Sequence, residues 1–344
     1  MLKHFNQIGI LLCLTAISVI GVFGQSEPPR PPKAPRIAII SKIPPHAKRF
    51  PAIYSGERGT SEKSIAVDPN VEMKLCILEG NLEINGWQRN EIRVFVKNGS
   101  GIVLKALEKS EASGKPVWVR VTRGATPESQ SGPATECLSG ENIEIDVPMK
   151  ASLNLAGRVT ETTVDSVKKV TAKNVGGNIV LRNITGGITA STHEGDITVE
   201  NSGGQISLES STGNILAFEV SPGQIGDLFR AKTNNGAISL QQVDHRQIEA
   251  NSISGSVLFN GKFLSGGLYN FKTSNGSIRL TLPHDSSSTF AASYGFGSFN
   301  YDFPLKVLTE NTSDGGKNVV ATMGGGDATI NLTTNSGSIW IKKQ

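Results

Sequence analysis

Apolar and polar residues alternate in short, evenly spaced runs over residues 175–217. The phrase GNIVL at 177 recurs in altered form as GGITA at 186, GDITV at 195, GQISL at 204 and GNILA at 213, at intervals of nine residues. In each copy the apolar side chains stand two apart, as Ile197 and Val199 do, with a polar or smaller residue between most of them. This period of two predicts one short β-strand per copy, with one apolar and one polar face.

A glycine precedes each predicted strand, where the chain must turn. Glycine adopts backbone conformations that would strain a residue carrying a Cβ atom. One nine-residue unit cannot bury its own apolar face, whereas stacked units can. If two units form one coil, Ile179, Ile197 and Ile215 stack in one sheet, and Ile188 and Ile206 stack in the opposite sheet.

This spacing predicts an all-β, β-helix-like β-solenoid of short strands that begin at glycine. Parallel strand connections are normally right-handed, so we expect a right-handed coil. The alternative is an antiparallel sandwich or barrel, which also has short strands and frequent turns. We further expect Asn183, Asn201 and Ser210, which follow the apolar pairs, to begin inward-facing polar ladders at the corners.

Similar strands extend over most of the chain. Further copies of the phrase begin at residues 80, 236, 255, 276, 326 and 337, and four alternating runs lie between residues 71 and 147. We therefore predict one β-solenoid body over residues 61–344, less regular over 61–149 and repetitive over 150–344, without helices. A domain boundary near Met149 is compatible with this pattern but is not required by it.

The first 60 residues differ from the rest. Lys3 and His4 precede an apolar stretch from Ile8 to Phe23, which predicts a signal peptide over residues 1–24. An uncleaved anchor helix is the alternative, although the stretch is short for a membrane span. Residues 25–60 hold eight prolines among basic residues and cannot form a core, which predicts a disordered Pro-rich linker.

Composition and charge argue against nucleic acid as a partner. The chain has 38 glycines, 6% aromatic residues and a formal net charge of +4. Of its 34 basic and 30 acidic residues, eight and two lie before residue 61, which leaves 26 basic and 28 acidic residues in the body. A body charge of about −2 lacks the basic bias of nucleic-acid-binding domains.

Two cysteines remain after the predicted signal peptide. An exported chain meets an oxidising compartment, so Cys76 and Cys137 could form a disulfide across 61 positions. Alternatively, Cys76 is a small buried hydrophobe within the apolar run KLCIL.

The repeated Gly-[Asn/Asp]-Ile phrase is joined by a particular C-terminal order. TSNGSIRLTLP at 273, DFPL at 302 and MGGGDATINLTTNSGSIWI at 323 together resemble the DUF4097 family of bacterial β-strand repeat proteins, often called adhesins. The resemblance covers residues 160–341 well and residues 64–148 more loosely. It implies an exported or envelope-associated bacterial β-solenoid without an assigned reaction.

Few residues suggest catalysis or metal binding. The histidines lack metal-ligand spacing, and no nucleophile elbow, Walker loop or dinucleotide motif is present, so we predict no enzyme, no cofactor and no metal. Glu200 and Glu209 occupy equivalent outward positions but are expected on opposite sheets. Asp196 is the only carboxylate among the five residues that follow the repeat glycines, too few for a ladder of calcium sites.

The candidate recognition residues are aromatic and lie within fourteen positions. They are Phe290, Tyr294, Phe296, Phe299, Tyr301 and Phe303. Aromatic rows can stack on sugar rings or anchor a protein partner. The end of a solenoid must also cover its apolar interior, and we favour such a capping role. We interpret the isolated Trp87, Trp118 and Trp340 as core residues.

Together these features predict a non-enzymatic, adhesin-like β-solenoid that presents an extended repetitive surface. Its expected location is the periplasm, the outer cell surface or the medium, with no transmembrane span after signal cleavage. Its expected partner is a glycan or an envelope or surface protein. The alternatives are a periplasmic scaffold or stress-related envelope component and, with less support, a glycan-active β-helix enzyme.

Overall fold

The computed structural model describes residues 59–124, 136–313 and 316–344. The predicted signal peptide and residues 25–58 of the predicted linker lie outside these ranges. The chain divides into two compact units, residues 1–53 and 54–344, and all described residues belong to the second. Within them every regular element is a β-strand, and none is a helix that could cross a membrane.

Seven strands form the less regular first part. They are β1 Gly59–Ala66, β2 Glu72–Trp87, β3 Glu91–Gly99, β4 Ile102–Lys109, β5 Pro116–Arg123, β6 Leu138–Pro148 and β7 Ser152–Asp165. The first strand begins at Gly59, so it takes two residues that the sequence assigned to the linker.

Twelve short strands form the repetitive part. They are β8 Lys169–Gly176, β9 Ile179–Arg182, β10 Ile188–Glu194, β11 Ile197–Gly203, β12 Ile206–Thr212, β13 Ile215–Ser221, β14 Leu228–Asn235, β15 Ile238–Val243, β16 Gln247–Ser254, β17 Val257–Asn260, β18 Leu268–Asn275 and β19 Ile278–Leu282.

Six strands complete the chain. They are β20 Ser288–Phe296, β21 Phe299–Tyr301, β22 Lys306–Ser313, β23 Gly316–Met323, β24 Ala328–Ser336 and β25 Ile339–Lys343.

The repetitive strands stack as parallel coils, as the nine-residue spacing predicts. Ile188 is in register with Ile206, and Ile197 lies between Ile179 and Ile215. The even-numbered strands β8–β18 form one parallel sheet, here called sheet one, and the odd-numbered strands β9–β19 form the opposite parallel sheet, sheet two. The β-solenoid prediction is confirmed, and the handedness of the coil stays a prediction.

Two long strands join the sheets near the beginning of the body. The segment 72–75 of β2 pairs with β5, and its later part, residues 77–87, pairs with β6. Strand β7 pairs with β8 through residues 152–159 and with β9 through residues 162–165. Because β2 and β7 turn from one sheet into the other, all 25 strands belong to one hydrogen-bonded network.

The last coil of the chain is inserted into the stack. Strand β24 pairs in parallel with both β18 and β20, and β25 pairs with both β19 and β21. The coil β20–β21 is therefore outermost, although β24 and β25 follow it in sequence. Antiparallel strands add to each end of the stack, with β1, β3 and β4 at the first end and β22 and β23 at the second.

The core is the space between the two sheets. Its buried apolar residues form one cluster, with Ile, Val, Leu and Ala in the early coils and larger rings in the later ones. Phe229, Phe259, Tyr269 and Phe271 are among the largest fully buried side chains. Aromatic residues thus replace aliphatic ones at equivalent inward positions, for example Phe229 beside Ile206.

One copy of the glycine phrase is hard to identify in the sequence because it has aromatic residues where the other copies have aliphatic ones. Gly297 has a φ of 138° and is followed by β21, in which Phe299 pairs with Ile339 and Tyr301 with Ile341. The segment GSFNY is therefore a repeat unit with rings at the positions of Ile and Leu.

A buried hydroxyl and a stacked glycine occupy the same corner in successive coils. In six coils a Thr or Ser hydroxyl on sheet one donates a hydrogen bond to the carbonyl oxygen of a repeat glycine in the preceding coil. The pairs are Thr192 to Gly177 at 3.2 Å, Ser210 to Gly195 at 3.0 Å, Thr233 to Gly213 at 2.9 Å, Ser252 to Gly236 at 2.9 Å, Thr273 to Gly255 at 2.8 Å and Thr334 to Gly276 at 2.9 Å. A Cβ on Gly213 would lie 1.9 Å from the Gly195 oxygen, which explains the glycine.

The predicted polar ladders at the opposite corner face outward. Ser210 is buried as expected, but Asn201 is exposed, and its Nδ2 donates to Oδ1 of Asn183 at 2.6 Å. Both asparagines have positive φ angles, 55° for Asn183 and 43° for Asn201. A left-handed residue at the corner interrupts the strand alternation, so the inward assignment of these two side chains is wrong.

Candidate binding surface

The aromatic segment near the C-terminus divides between core and surface. Phe290, Tyr294 and Phe303 are buried, and Phe299 is half-buried against the core. Phe296 and Tyr301 are 78% and 43% exposed. Because β20–β21 is the outermost coil, four of the six rings cover the end of the core, and only two are available to a partner.

Glu200 and Glu209, the carboxylates considered for catalysis, do not lie together in one site. Glu200 lies on β11 in sheet two, 2.9 Å from Arg182 Nε, and Glu209 lies on β12 in sheet one, 3.3 Å from Lys232 Nζ. They therefore lie on opposite faces of the body, and each carboxylate forms an ion pair with a basic residue of a neighbouring coil. The general acid and base of a glycosidase would have to act on one bond from a common site.

Asp196, the carboxylate of the calcium-like phrase, belongs to a hydrogen-bond ladder. Its Oδ1 accepts from the backbone N–H of Asn214 at 2.6 Å, and its own N–H donates to Oδ1 of Asn178 at 2.7 Å. The Asn214 Oδ1 accepts in turn from Ala237 N–H at 2.9 Å. The polar residue after each repeat glycine thus links coils, and the described ranges contain no cluster of three metal-ligating side chains.

A disulfide joins Cys76 and Cys137, whose Cα atoms are 4.5 Å apart. Cys76 lies on the outward phase of β2, between the buried Leu75 and Ile77. It is therefore not the buried hydrophobe of the alternative interpretation. The bond fastens the beginning of β6 to the middle of β2, where β2 passes from one sheet to the other.

His245 is the fully buried histidine of the later coils. Its Nε2 lies 2.9 Å from the carbonyl oxygen of Gly204, and its ring packs edge-on against Phe229 with the ring centroids 5.7 Å apart. Burial lowers the pKa of the imidazole below its ordinary value, which favours the neutral form. The ring packs in the core and does not line an open site.

A polar groove of about 550 Å³ lies at the corner that follows sheet two. Its lining includes Glu219, Gln242, Asp244 and Lys262. Glu219 and Gln242 hold positive φ angles of 55° and 52°, at the corner position that Asn183 occupies in an earlier coil. Non-glycine residues other than Asn and Asp adopt this conformation at a cost.

The outer face of sheet one is hydrophilic, and some of its charged residues form ion pairs. Arg230 Nε lies 2.7 Å from Glu249 Oε2 on the next coil, and Asn331 Nδ2 donates to Asn270 Oδ1 at 2.8 Å. Such exposed pairs contribute little to stability, and Lys173 and Lys272 on the same face form no ion pair with a described residue.

The outer face of sheet two carries apolar side chains at alternate rungs of its central column. The column runs Val180, Thr198, Leu216, Ser239, Leu258, Arg279 and Trp340. All seven are half-exposed, and neighbouring rungs of a sheet lie about 4.8 Å apart. Sheet two therefore offers a flat surface of mixed apolar and polar residues, whereas the outer face of sheet one is mainly hydrophilic.

Trp340 lies on this outer face, so its interpretation as a core residue is wrong. Its neighbours Ile339 and Ile341 are buried, which places Trp340 on the opposite side of β25. The alternation in SIWIK is the signal that could have identified it from the sequence. Trp87 and Trp118 are likewise half-buried rather than core residues.

The chain is similar to several solved structures. No curated protein matches the chain. Similar solved structures include a "putative adhesin" from Bacteroides fragilis, at 13% identity and a TM-score of 0.33, covering 83% of this chain and 98% of its own. A "putative lipid binding protein" from Parabacteroides distasonis has 10% identity and a TM-score of 0.36, covering 84% and 98%. A "putative cell adhesion protein" from Clostridium sporogenes has 12% identity and a TM-score of 0.24, covering 82% and 99%.

At these TM-scores the structural alignments carry no argument about fold or function. A sequence model of the family described as Toastrack DUF4097 matches residues 119–342, well over half of the 344 residues. The chain belongs to the Toastrack DUF4097 family.

Proposed function

We propose that the protein is an exported, non-enzymatic β-solenoid that acts in adhesion at the cell envelope or cell surface. Export is supported by the signal-like residues 1–24 and by the disulfide between Cys76 and Cys137, a bond that persists in oxidising compartments. The partner is a glycan or a protein of the envelope or of a neighbouring surface.

The observation that carries this proposal is the outer face of sheet two. Its side chains stand in straight columns, one rung per coil, and half-exposed apolar residues recur between polar ones. A rigid flat face of this kind suits repeated weak contacts with an extended partner, and many such contacts raise the overall affinity.

Fractionation combined with protease treatment of intact cells tests the location. A protein displayed outside the cell is cleaved in intact cells, and deletion of its gene reduces attachment to glycan, matrix or neighbouring cells. Protection from the protease, together with co-purification of specific envelope proteins, would instead identify a periplasmic scaffold.

A second measurement tests the non-enzymatic assignment. Glu200 and Glu209 are the carboxylates that the sequence nominated, and each is engaged in an ion pair. Purified protein is expected to release no reducing sugar from envelope or matrix polysaccharides. Release that disappears in the double variant Glu200→Gln/Glu209→Gln would establish a glycan-active enzyme.

A further inference from the structure

The end of the sheet-two face nearest the outermost coil combines a ring with two cations. Trp340 on β25 is in register with Arg279 on β19 and with Asn300 on β21. The Nζ of Lys342 lies 5.5 Å from the centroid of the Trp340 ring. Arg279, Trp340 and Lys342 are here called the cationic patch.

Among the described residues Arg279, like Arg123 and Arg158, lacks the ion-pair partner that four other strand arginines have. Arg93, Arg120, Arg182 and Arg230 each form an ion pair with an acidic residue. Arg279 forms none with any described residue, and its Nε is buried without a hydrogen-bond acceptor. Arg279 itself is half-exposed, and a guanidinium without an ion-pair partner gains from a carboxylate that a ligand brings.

The rungs around the cationic patch carry hydroxyls and amides and one acid, Asp302, beside Lys342. One column beside it runs Ser256, Ser277, Ser338 and Ser298, and the column on the other side includes Asn260 and Thr281. Asp302 follows β21 and is exposed. It forms no ion pair with the described residues. The positive charge of the patch is therefore not compensated by an ion pair.

We propose that the cationic patch binds the carboxylate groups of an acidic polysaccharide built from uronic acids. The Arg279 fork presents donors to a carboxylate, Lys342 adds a second positive charge, and the Trp340 ring packs against a sugar ring. The serine hydroxyls bind sugar hydroxyls along the same face. This inference deepens the proposed function, because it rests on a glycan as the partner.

Binding of the purified chain to polygalacturonate tests the inference. The polymer is compared with its methyl ester, which lacks the charge, and with neutral dextran, by calorimetry and by affinity electrophoresis. We expect polygalacturonate to bind, and added salt to weaken binding because the contact is electrostatic. The ester and dextran are expected to bind at least about tenfold more weakly, the loss expected for one charged hydrogen-bonded contact.

The variant Arg279→Gln keeps a polar side chain and removes the charge. We expect it to weaken polygalacturonate binding by about ten- to a hundredfold. Arg230→Gln is the matched control, because Arg230 is an outward strand arginine on sheet one that already pairs with Glu249. It removes the same net charge and should leave affinity unchanged. Thermal unfolding verifies that both variants are folded.

Several results would overturn the inference. They are failure of the wild type to bind polygalacturonate, equal binding of the methyl ester, and an equal loss in both arginine variants. Binding of dextran sulfate in preference to polygalacturonate, with loss in Arg279→Gln, would assign the patch to sulfate groups instead. Loss of binding by the purified chain would leave protease accessibility on cells unaffected, so failure here and failure of the proposed location are distinguishable.

Discussion

The buried hydroxyl ladder predicts that removal of a single oxygen destabilises the body. Thr233 is fully buried on β14, and its Oγ1 donates to the Gly213 carbonyl at 2.9 Å. No backbone N–H of the described residues donates to that oxygen. Valine has almost the shape of threonine, so Thr233→Val removes the donor while leaving the packing in place.

The expected loss follows from the carbonyl left behind. A buried acceptor without a partner costs about 1–3 kcal/mol. For a body of this size each 1 kcal/mol lowers the Tm by about 2–4 °C. Ser252→Ala provides a second case with the same chemistry, because Ser252 is fully buried and donates to Gly236 at 2.9 Å.

Denaturant unfolding, followed by circular dichroism, measures both losses. Thr189→Val is the matched control, since Thr189 lies on the exposed face of β10, and a surface change of this type stays within about 0.5 kcal/mol. If Thr233→Val and Ser252→Ala unfold at the same denaturant concentration as the wild type and the control, the hydroxyl ladder does not support the corner. The reasoning would then be refuted.

Three further predictions concern the corners and the covalent link. Gly213→Ala should cost more than about 3 kcal/mol, because a positive φ and a backbone collision add, whereas Gly226→Ala, at a φ of 97° with open space, should cost about 1 kcal/mol; equal denaturation midpoints would contradict this. Cys76→Ser should lower the free energy of unfolding by about 2–5 kcal/mol, measured against the oxidised wild type, and reductant should have no effect on the variant. Glu219→Asn should raise stability by about 0.5–1 kcal/mol, because asparagine tolerates the φ of 55° better; a lower Tm would count against strain at that corner.

The sequence predicts the repetitive part because two simple periods coincide there. Alternation at period two sets the faces, and the nine-residue interval sets the register, so the neighbours of Ile197 could be named in advance. The glycine at each corner is predictable for the same reason, since a Cβ at that position would collide with the coil below.

Other features depend on contacts that no local pattern encodes. Strand β2 shifts the phase of its alternation between Ile77 and Leu82, where Gly80 has a φ of 127°, but no local pattern shows that its two parts pair with β5 and β6. The side chain of Asn201 points outward because this residue has a left-handed backbone conformation, which the alternation of apolar and polar residues does not predict. The insertion of β24 between β18 and β20 is a long-range pairing that the repeat alone does not specify.

The cationic patch is predictable from the sequence only in part. Its ring could have been placed outside from the alternation of SIWIK, but its proximity to Arg279 requires knowing that β19 and β25 are neighbours. Arg279 and Trp340 are 61 positions apart in the sequence, and the strands between them include the outermost coil β20–β21. A short sequence motif cannot reveal a surface whose residues lie so far apart in the sequence.

The inserted coil affects the order in which the chain can fold. During synthesis the segment 288–323 emerges before residues 328–343, yet the positions next to β18 and β19 are occupied by the later strands β24 and β25. If the coils form in sequence order from the first one, the segment 288–323 therefore cannot take its final position until β24 and β25 have been synthesised. Loss of those strands would remove an internal layer of the stack, so a short truncation there would separate the capping strands from the body.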